Sequence, residues 1–386
     1  MIDALMWTLA GVTAVPFLAY TSEVVAGLPR PTRFTPPLAA GIRVAVLVPA
    51  HNEQAGIART VAGLIAAAPA GTRVLVVADN CSDDTAAEAR RAGAEAIERH
   101  DLTQRGKGYA LAFGRDHLAA DAPDVVIVVD ADCHVLPGTI ESLAARAHGS
   151  GHAVQSINLI ENDLTQPPLV QISGFAMLVK NLVRLRGLSR TGGSILLTGT
   201  GMALPWPIFR TAALATGNIV EDMELGIELA RRGQNVLLEP GGTVLSPPAH
   251  VDDMREQRQR WEFGYFASAR RWALPLVGRG LLSGSRAQVA LGFHMLVPPL
   301  ASLFFAGASV VGLLALLALL GFGAGPVLAL ALLVAIAGGL TVVAWSREGR
   351  ETLSFAALLA IPRYLLWKVP LYLGGGPKGW VRTRRR

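Results

Sequence analysis

Acidic and polar residues follow three short apolar segments of this chain. Asp130-Ala131-Asp132 follows one segment, Asp79-Asn80 a second, and His51-Asn52-Glu53 a third. Two aspartates separated by one residue at the end of a strand project to the same side, so both carboxylates can face one site. Such oxygens suit Mg²⁺ or Mn²⁺, which proteins commonly hold with one or two carboxylates plus substrate phosphates. A solvated acidic turn is the alternative for an isolated Asp-x-Asp.

An alternation of strands and helices must position these residues. The apolar runs Val44–Val48, Val74–Val77 and Val125–Val129 predict strands. Apolar strands alternating with helices are typical of a mostly parallel sheet buried on both faces, which binds ligands beyond the carboxyl ends of its strands. We therefore expect the three clusters to meet at one edge of the sheet. The predicted helices are Glu53–Ala68, Asp84–Ala92, Gly108–Ala120 and Pro137–Ala147.

The usual glycine-rich phosphate loops do not occur in the sequence. The first strand–helix turn reads Pro49-Ala50-His51-Asn52-Glu53 where a dinucleotide fold has Gly-x-Gly-x-x-Gly, and Arg105-Gly106-Lys107-Gly108 lacks the Ser or Thr of a GxxxxGK[ST] loop. A site at this edge must neutralise phosphate in another way. A divalent metal on the aspartates would do so.

The apolar residues are concentrated at the two ends of the chain. Of the 386 residues 51% are hydrophobic and only 17% charged, and the excess lies at 3–21 and from 288 onward. Segment 288–322 has no Asp, Glu, Lys or Arg, but Pro298-Pro299 interrupts it. We expect an N-terminal membrane anchor at 1–24, a catalytic domain at 40–275, and transmembrane and interfacial helices with a basic tail at 276–386.

Charge predicts the orientation and restricts the partners. Two C-terminal crossings, at about 301–322 and 326–345, are favoured over four, and 353–374 is expected to lie in the interface. Basic residues flank the apolar segments, so the catalytic domain and C-terminus are expected in the cytoplasm of an inner or plasma membrane protein. With a net charge of +6 but no base-reading motif, nucleic acid is not an expected partner. Two cysteines exclude a disulfide framework.

Six motifs in order resemble glycosyltransferase family 2, inverting enzymes with a GT-A fold. The last motif is similar to the QxxRW of the cellulose, chitin and hyaluronan synthase branch, and the resemblance covers roughly residues 43–272. One departure is Asp79-Asn80-Cys81, where processive synthases usually have an Asp-Asp-Gly type turn. The motifs are Val46–Glu53, Asp79–Thr85, Arg105–Gly108, Asp130–Asp132, Glu221-Asp222 and Gln257–Trp261.

The resemblance implies an α/β protein: a GT-A nucleotide-sugar-binding domain with a mostly parallel central sheet, plus N- and C-terminal transmembrane or interfacial helices. It implies Mn²⁺ or Mg²⁺, a nucleotide-sugar donor such as a UDP-sugar, and a saccharide or lipid-linked acceptor. Carried over to this sequence, Asp222 would be the general base and Asp132 the metal ligand. The residues that would bind the donor are Pro49, His51, Glu53, Asp79, Lys107, Asp130 and Arg260. Gln257 and Trp261 would bind the acceptor.

Each of these residues has a plainer interpretation. Acids at 221, 222 and 224 favour the positive end of a helix dipole without catalysis. Gln257–Trp261 could form an interfacial helix. Gly199 and Thr200 belong to a small, flexible segment that could admit an acceptor, or could be a tight strand in a crowded sheet.

Two functions of different classes remain open. The first is a hexosyl- or N-acetylhexosaminyltransferase of polysaccharide or glycolipid assembly in the cell envelope, including a sugar transferase directed to ceramide or polyprenyl phosphate. The second is a catalytically silent membrane assembly partner that binds nucleotide or polymer. The presence of both Asp132 and Asp222 favours the enzyme.

Overall fold

The computed structural model describes residues 1–31, 37–216, 220–248, 251–361 and 364, without the side chains of 251–260. Within these residues the strands are β1 Val44–Ala50, β2 Arg73–Asp79, β3 Glu95–Arg99, β4 Val125–Val128, β5 His134–Val135, β6 Val154–Ile160, β7 Met202–Pro205 and β8 Leu237–Ser246.

The helices of the described chain alternate with these strands and then continue alone. They are α1 Ile2–Gly27, α2 Ile57–Ala67, α3 Thr85–Arg91, α4 Lys107–Leu118, α5 Thr139–Ser150, α6 Pro168–Leu178, α7 Leu185–Arg190, α8 Trp206–Phe209, α9 Glu221–Arg231, α10 Val251–Ser283, α11 Arg286–Leu296, α12 Leu300–Leu319, α13 Gly325–Ala344 and α14 Phe355–Leu359. A 3₁₀ turn covers Ala119–Asp121, and π turns cover Val179–Arg184 and Trp345–Gly349.

One eight-stranded mixed sheet forms the centre of the molecule. Its order is β3-β2-β1-β4-β7-β6-β8-β5. The first four strands are mutually parallel, as are β6 and β8, whereas β7 is antiparallel to both of its neighbours and β5 is antiparallel to β8. The predicted mostly parallel α/β sheet is confirmed.

Strand β1 shows why the sheet is buried on both faces. Residues Val44–Val48 are at most 3% exposed. Leu47 packs into one core cluster and Val46 into another on the opposite face, as the two-residue period of a strand requires. Helices cover both clusters, so an uninterrupted apolar run is stable here.

Helix α2 begins at Ile57, four residues after the predicted start at Glu53. The intervening backbone bonds to the loop after β2: Glu53 N donates to Thr85 Oγ1 at 2.8 Å, and Gln54 N to Asp83 Oδ2 at 3.2 Å. These bonds hold 53–56 as a loop at the carboxyl edge of the sheet. Residues 53–56 therefore form a loop instead of the first turn of α2.

Within the described part of the chain, three helices are long and apolar enough to cross a membrane: α1, α12 and Gly325–Gly349. Pro298-Pro299 falls in the break between α11 and α12, as the sequence predicted. The proposed end of the catalytic domain at 275 lies within α10. Most of the proposed interfacial segment and the whole basic tail lie outside the described residues.

Helix α1 runs parallel to α13 and joins the sheet domain at its far end. Gly323 N donates to Asp3 Oδ1 at 2.9 Å, and the hydroxyls of Tyr20 and Thr341 lie 2.6 Å apart. Near the domain, a Cβ on Gly187 would lie 1.9 Å from the carbonyl oxygen of Glu23. This close backbone contact sets the position of α1 against the domain.

Candidate active site

A cavity of about 510 Å³ lies beyond the carboxyl end of β4. Asp130 and Asp132 reach it from the turn after β4, and Glu221 and Asp222 from the first turn of α9. Lys107 reaches it from the first residue of α4. The cavity therefore gathers acidic residues that are about ninety positions apart in the chain.

Lys107 connects the turn at Asp130 with the loop at Gly199. Its ammonium donates to Asp130 Oδ1 and, at 2.7 Å, to the carbonyl oxygen of Gly199. Burial alone would lower the pKa of Lys107, but Asp130, Glu221 and Asp222 together raise it above its ordinary value. The ammonium stays charged and offsets part of the negative charge of the site.

Two of the carboxylates fit a hard metal ion. Ligand atoms of Asp130, Asp132 and Cys133 all lie within 4.8 Å of one another. Burial and the charges of both aspartates raise the pKa of the Cys133 thiol, and its sulfur lies 3.6 Å from Asp132 Oδ1. A protonated thiol is a poor ligand for Mg²⁺ or Mn²⁺, whereas the carboxylate oxygens suit both ions. The metal would therefore bind to the aspartates.

Asp222 and Glu221 form a half-buried acidic pair at the start of α9. Burial raises the pKa of Asp222, and burial together with the Asp222 charge raises the pKa of Glu221 to about 7. The pKa of each acid is therefore raised above its ordinary value, which is the direction that a general base acting near neutrality requires. Glu224 differs, because Ser268 and Trp272 donate to its two oxygens at 2.7 and 3.0 Å.

Gly199 fits closely against this pair. Its φ is +85°, and an added Cβ would lie 3.1 Å from Asp222 Oδ2 and 3.3 Å from Lys107 Nζ. Thr200 is 1% exposed and its hydroxyl accepts from Asp130 N at 3.1 Å. Both residues line the cavity, in a loop that leads into β7. Thr200 thus supports Asp130, which the sequence analysis did not anticipate.

The predicted nucleoside-binding residues lie at the neighbouring strand ends. His51 Nδ1 is 2.7 Å from the carbonyl oxygen of Asp79, which brings the ends of β1 and β2 together. Arg99 Nη1 donates to Asp79 Oδ1 at 2.7 Å, so this carboxylate is already paired. Pro49 and Glu53 sit on the same side, at the end of β1 and in the loop after it. Among described residues this group lies beside the cavity instead of in its lining.

Helix α10 contributes to the opposite wall. Trp261 is 40% exposed and lines the cavity, followed by the buried Glu262 and Tyr265. The side chains of Gln257 and Arg260 lie outside the described part of the chain. The Gln257–Trp261 motif lies within helix α10, which agrees with both the catalytic and the interfacial interpretation of this motif.

Sequence reasoning missed one group of cavity residues. Lys180 and Arg184 enter from the π turn after α6, and His294 from α11. Arg184 Nε donates to Glu23 Oε2 at 2.7 Å, and His294 Nδ1 lies 2.9 Å from Glu23 Oε1. The available signal was the pair Lys180 and Arg184, four residues apart in the stretch 169–185 that has no other charged residue, which places both on one helix face.

Comparison with known proteins agrees with this geometry. The model of the family described as "Glycosyltransferase like family 2" matches residues 41–273, more than half of the chain. An uncharacterized glycosyltransferase of Mycobacterium tuberculosis is 38% identical over 106 residues, which are 28% of this chain and 44% of that protein. This chain therefore matches less than half the length of that relative.

One solved structure with a TM-score above 0.5 shares the fold over most of this chain. A mannosyltransferase from Pyrobaculum calidifontis, in complex with GDP-Man and Mn²⁺, has a TM-score of 0.55 at 17% identity and covers 96% of this chain and 100% of its own. Glucosyl-3-phosphoglycerate synthase from Mycobacterium tuberculosis, solved with Mg²⁺ and UDP, has a TM-score of 0.42 at 22% identity and covers 60% of this chain and 80% of its own. The sequence motifs, the sheet and the family match agree: this chain belongs to glycosyltransferase family 2.

Proposed function

We propose that this protein is a membrane-bound inverting glycosyltransferase that moves a sugar from a nucleotide-diphosphate donor to an acceptor hydroxyl. The proposal rests on one observation: Asp130, Asp132 and Asp222 line the same cavity. An inverting displacement requires a base on the acceptor and charge stabilisation at the leaving group on the opposite side. The two acidic groups of the cavity suit these two tasks.

Asp222 acts as the general base of the proposed reaction. Its carboxylate takes the proton of the acceptor hydroxyl while that oxygen attacks the anomeric carbon of the donor sugar. The bond from the anomeric carbon to the diphosphate breaks, and the nucleoside diphosphate leaves with the bonding electrons. Gly199 lets Asp222 and Lys107 approach because it has no Cβ to separate them.

The leaving-group side is assigned to Asp130, Asp132, Lys107 and Arg260. Asp132, with Asp130 beside it, would hold Mn²⁺ or Mg²⁺. The ion supplies positive charge that stabilises a departing diphosphate. Lys107 keeps Asp130 in place. Arg260 would pair with diphosphate oxygens.

Nucleoside binding is assigned to the adjoining strand ends. Pro49, His51 and Glu53 surround the end of β1, and Asp79 closes β2. The contact of His51 with the carbonyl oxygen of Asp79 and that of Glu53 N with Thr85 support a rigid edge of the sheet, on which a base and ribose would bind. A uridine nucleotide is the expectation from the family. Trp261 and Gln257 would face the acceptor sugar.

Membrane insertion is the second part of the proposal. Large apolar side chains of α1, α12 and α13 are exposed, among them Trp7, Phe305 and Leu328. Residues 1–6 and 320–325, at the end of the bundle away from the sheet domain, contain no Lys or Arg. Arg30, Arg347 and several other arginines lie at the domain end, which favours a cytoplasmic catalytic domain.

The direct test is a screen of sugar nucleotides with purified protein in detergent or lipid. Nucleoside diphosphate release is measured with Mn²⁺, with Mg²⁺ and with EDTA, and the products are analysed by mass spectrometry. The proposal expects metal-dependent release from one class of donor and an acceptor heavier by one or more sugar units. Nucleotide binding without release for any donor would instead favour the silent assembly partner.

A further inference from the structure

The cavity has two chemically different ends. At one end are the carboxylates that serve the proposed transfer. The other end is mostly apolar and lies among the helices that connect the sheet domain to the candidate membrane spans, with Arg184 and His294 beside it. Its lining there includes Val170, Met177, Val297, Leu300 and Ala301.

A break between two helices forms this apolar end. Helix α11 ends at Leu296 and α12 begins at Leu300, so Val297–Pro299 face the cavity as non-helical chain. Leu300 and Ala301 are the first residues of α12, one of the three helices that could cross a membrane. The facing wall is α6, which carries Val170 and Met177. The cavity thus extends from the catalytic carboxylates to the foot of a candidate membrane span.

Buried polar contacts hold this wall open. The hydroxyl of Tyr265 lies 3.2, 3.2 and 2.7 Å from the carbonyl oxygens of His294, Met295 and Val297. Arg184 Nη2 also donates to the carbonyl oxygen of His294, at 3.2 Å. These contacts satisfy the last carbonyls of α11 without a further helical turn. The apolar end is therefore built into the fold.

We propose that the acceptor is an amphiphile whose hydroxylated head lies at Asp222 and whose hydrocarbon part occupies the apolar end of the cavity. The inference rests on the proposed transferase function and names the substrate class of the same site. A water-soluble saccharide would leave the half-buried apolar walls at Met177 and Leu300 wetted, whereas a hydrocarbon chain removes them from water. Continuity with α12 lets such a molecule enter from the bilayer.

Photo-crosslinking with a defined probe tests the site. The probe is dodecyl glucoside with a diazirine near the end of its alkyl chain, applied to the full chain in lipid nanodiscs, and adducts are mapped by peptide mass spectrometry. We expect adducts at Met177 and at 297–301. Ala301→Trp fills the apolar end and should reduce these adducts at least tenfold, as should Met177→Trp from the facing wall.

Ala308→Trp is the matched control, because Ala308 is exposed on the same helix α12. It should leave the adducts unchanged. Adducts confined to the outer surfaces of α1, α12 and α13, or undiminished in both Trp variants of the cavity, would overturn the inference.

Nucleoside diphosphate release is measured on the same samples. Ala308→Trp should keep the wild-type rate of nucleoside diphosphate release, because Ala308 is exposed on α12 and does not line the cavity. Release by the wild type without cavity adducts would refute the lipid acceptor alone. No release from any donor would refute the proposed function and the acceptor role together.

Discussion

The substitution Gly199→Ala tests whether the loop before β7 positions the base. Gly199 has φ +85°, so any L side chain adds backbone strain of about 1–2 kcal/mol. Its Cβ would also lie 3.1 Å from Asp222 Oδ2 and 3.3 Å from Lys107 Nζ. At these distances the neighbouring groups must move by a few tenths of an ångström. The variant therefore combines a general cost in stability with a local displacement of the base.

Gly71→Ala separates the two effects. Gly71 has a nearly equal φ of +82°, and a Cβ there would meet nothing within 4 Å. Both variants should lose about 1–2 kcal/mol of unfolding free energy. Only Gly199→Ala should lose turnover per folded molecule, by about tenfold, because a displacement of 1 Å can cost about a hundredfold and this one is smaller.

The assay is denaturant unfolding together with steady-state diphosphate release, scaled to the folded fraction. Equal turnover in the two variants would refute the idea that Gly199 sets the position of Asp222. A loss of stability in Gly199→Ala much larger than in Gly71→Ala would show that the contact matters for folding instead.

Three other perturbations follow from the site. Asp132→Asn should raise the Mn²⁺ concentration for half-maximal activity at least tenfold, measured by metal titration of diphosphate release; unchanged metal affinity would remove Asp132 from the metal site. Activity should rise with pH over a range above the ordinary pKa of an aspartate, because burial raises the pKa of Asp222 and the base acts as a carboxylate; a limb at the ordinary carboxyl pKa contradicts this effect of burial. Glu221→Gln should remove from the pH profile any ionisation near 7, where burial and the Asp222 charge raise the pKa of Glu221; an ionisation near 7 that persists in this variant does not belong to Glu221. Arg184→Met leaves Glu23 buried without its guanidinium partner and should cost about 3–5 kcal/mol in unfolding free energy, whereas breaking an exposed ion pair costs about 1 kcal/mol or less; a measured cost of about 1 kcal/mol or less for Arg184→Met would contradict the burial of this pair.

The sheet could be predicted because its strands are unbroken apolar runs. Val44–Val48 and Val125–Val129 are buried on both faces, so their composition alone separates them from amphipathic elements. The acidic residues at their ends then had to share one edge. The predicted start of α2 was wrong by four residues, because side chains of the loop after β2 capture backbone donors there. Such loop-to-loop bonds leave no periodic pattern in the sequence.

The end of the cavity near the candidate membrane spans could not be predicted in the same way. Glu23 meets Arg184 and His294 across 161 and 271 positions of the chain, and no spacing rule connects them. Thr200 similarly supports Asp130 because its hydroxyl accepts a hydrogen bond from Asp130 N. The sequence motifs indicated which residue types could carry the chemistry. The supporting contacts depend instead on how the helices pack.

The most direct measurement compares Asp222→Asn with Glu224→Gln. Both carboxylates lie in the first turn of α9, but only Asp222 lines the cavity, while Ser268 and Trp272 hold Glu224. Single-turnover transfer at saturating donor should fall by about 10²–10⁴-fold in Asp222→Asn with nucleotide affinity retained. Glu224→Gln should transfer at the wild-type rate per folded molecule. Normal transfer by Asp222→Asn would contradict the account.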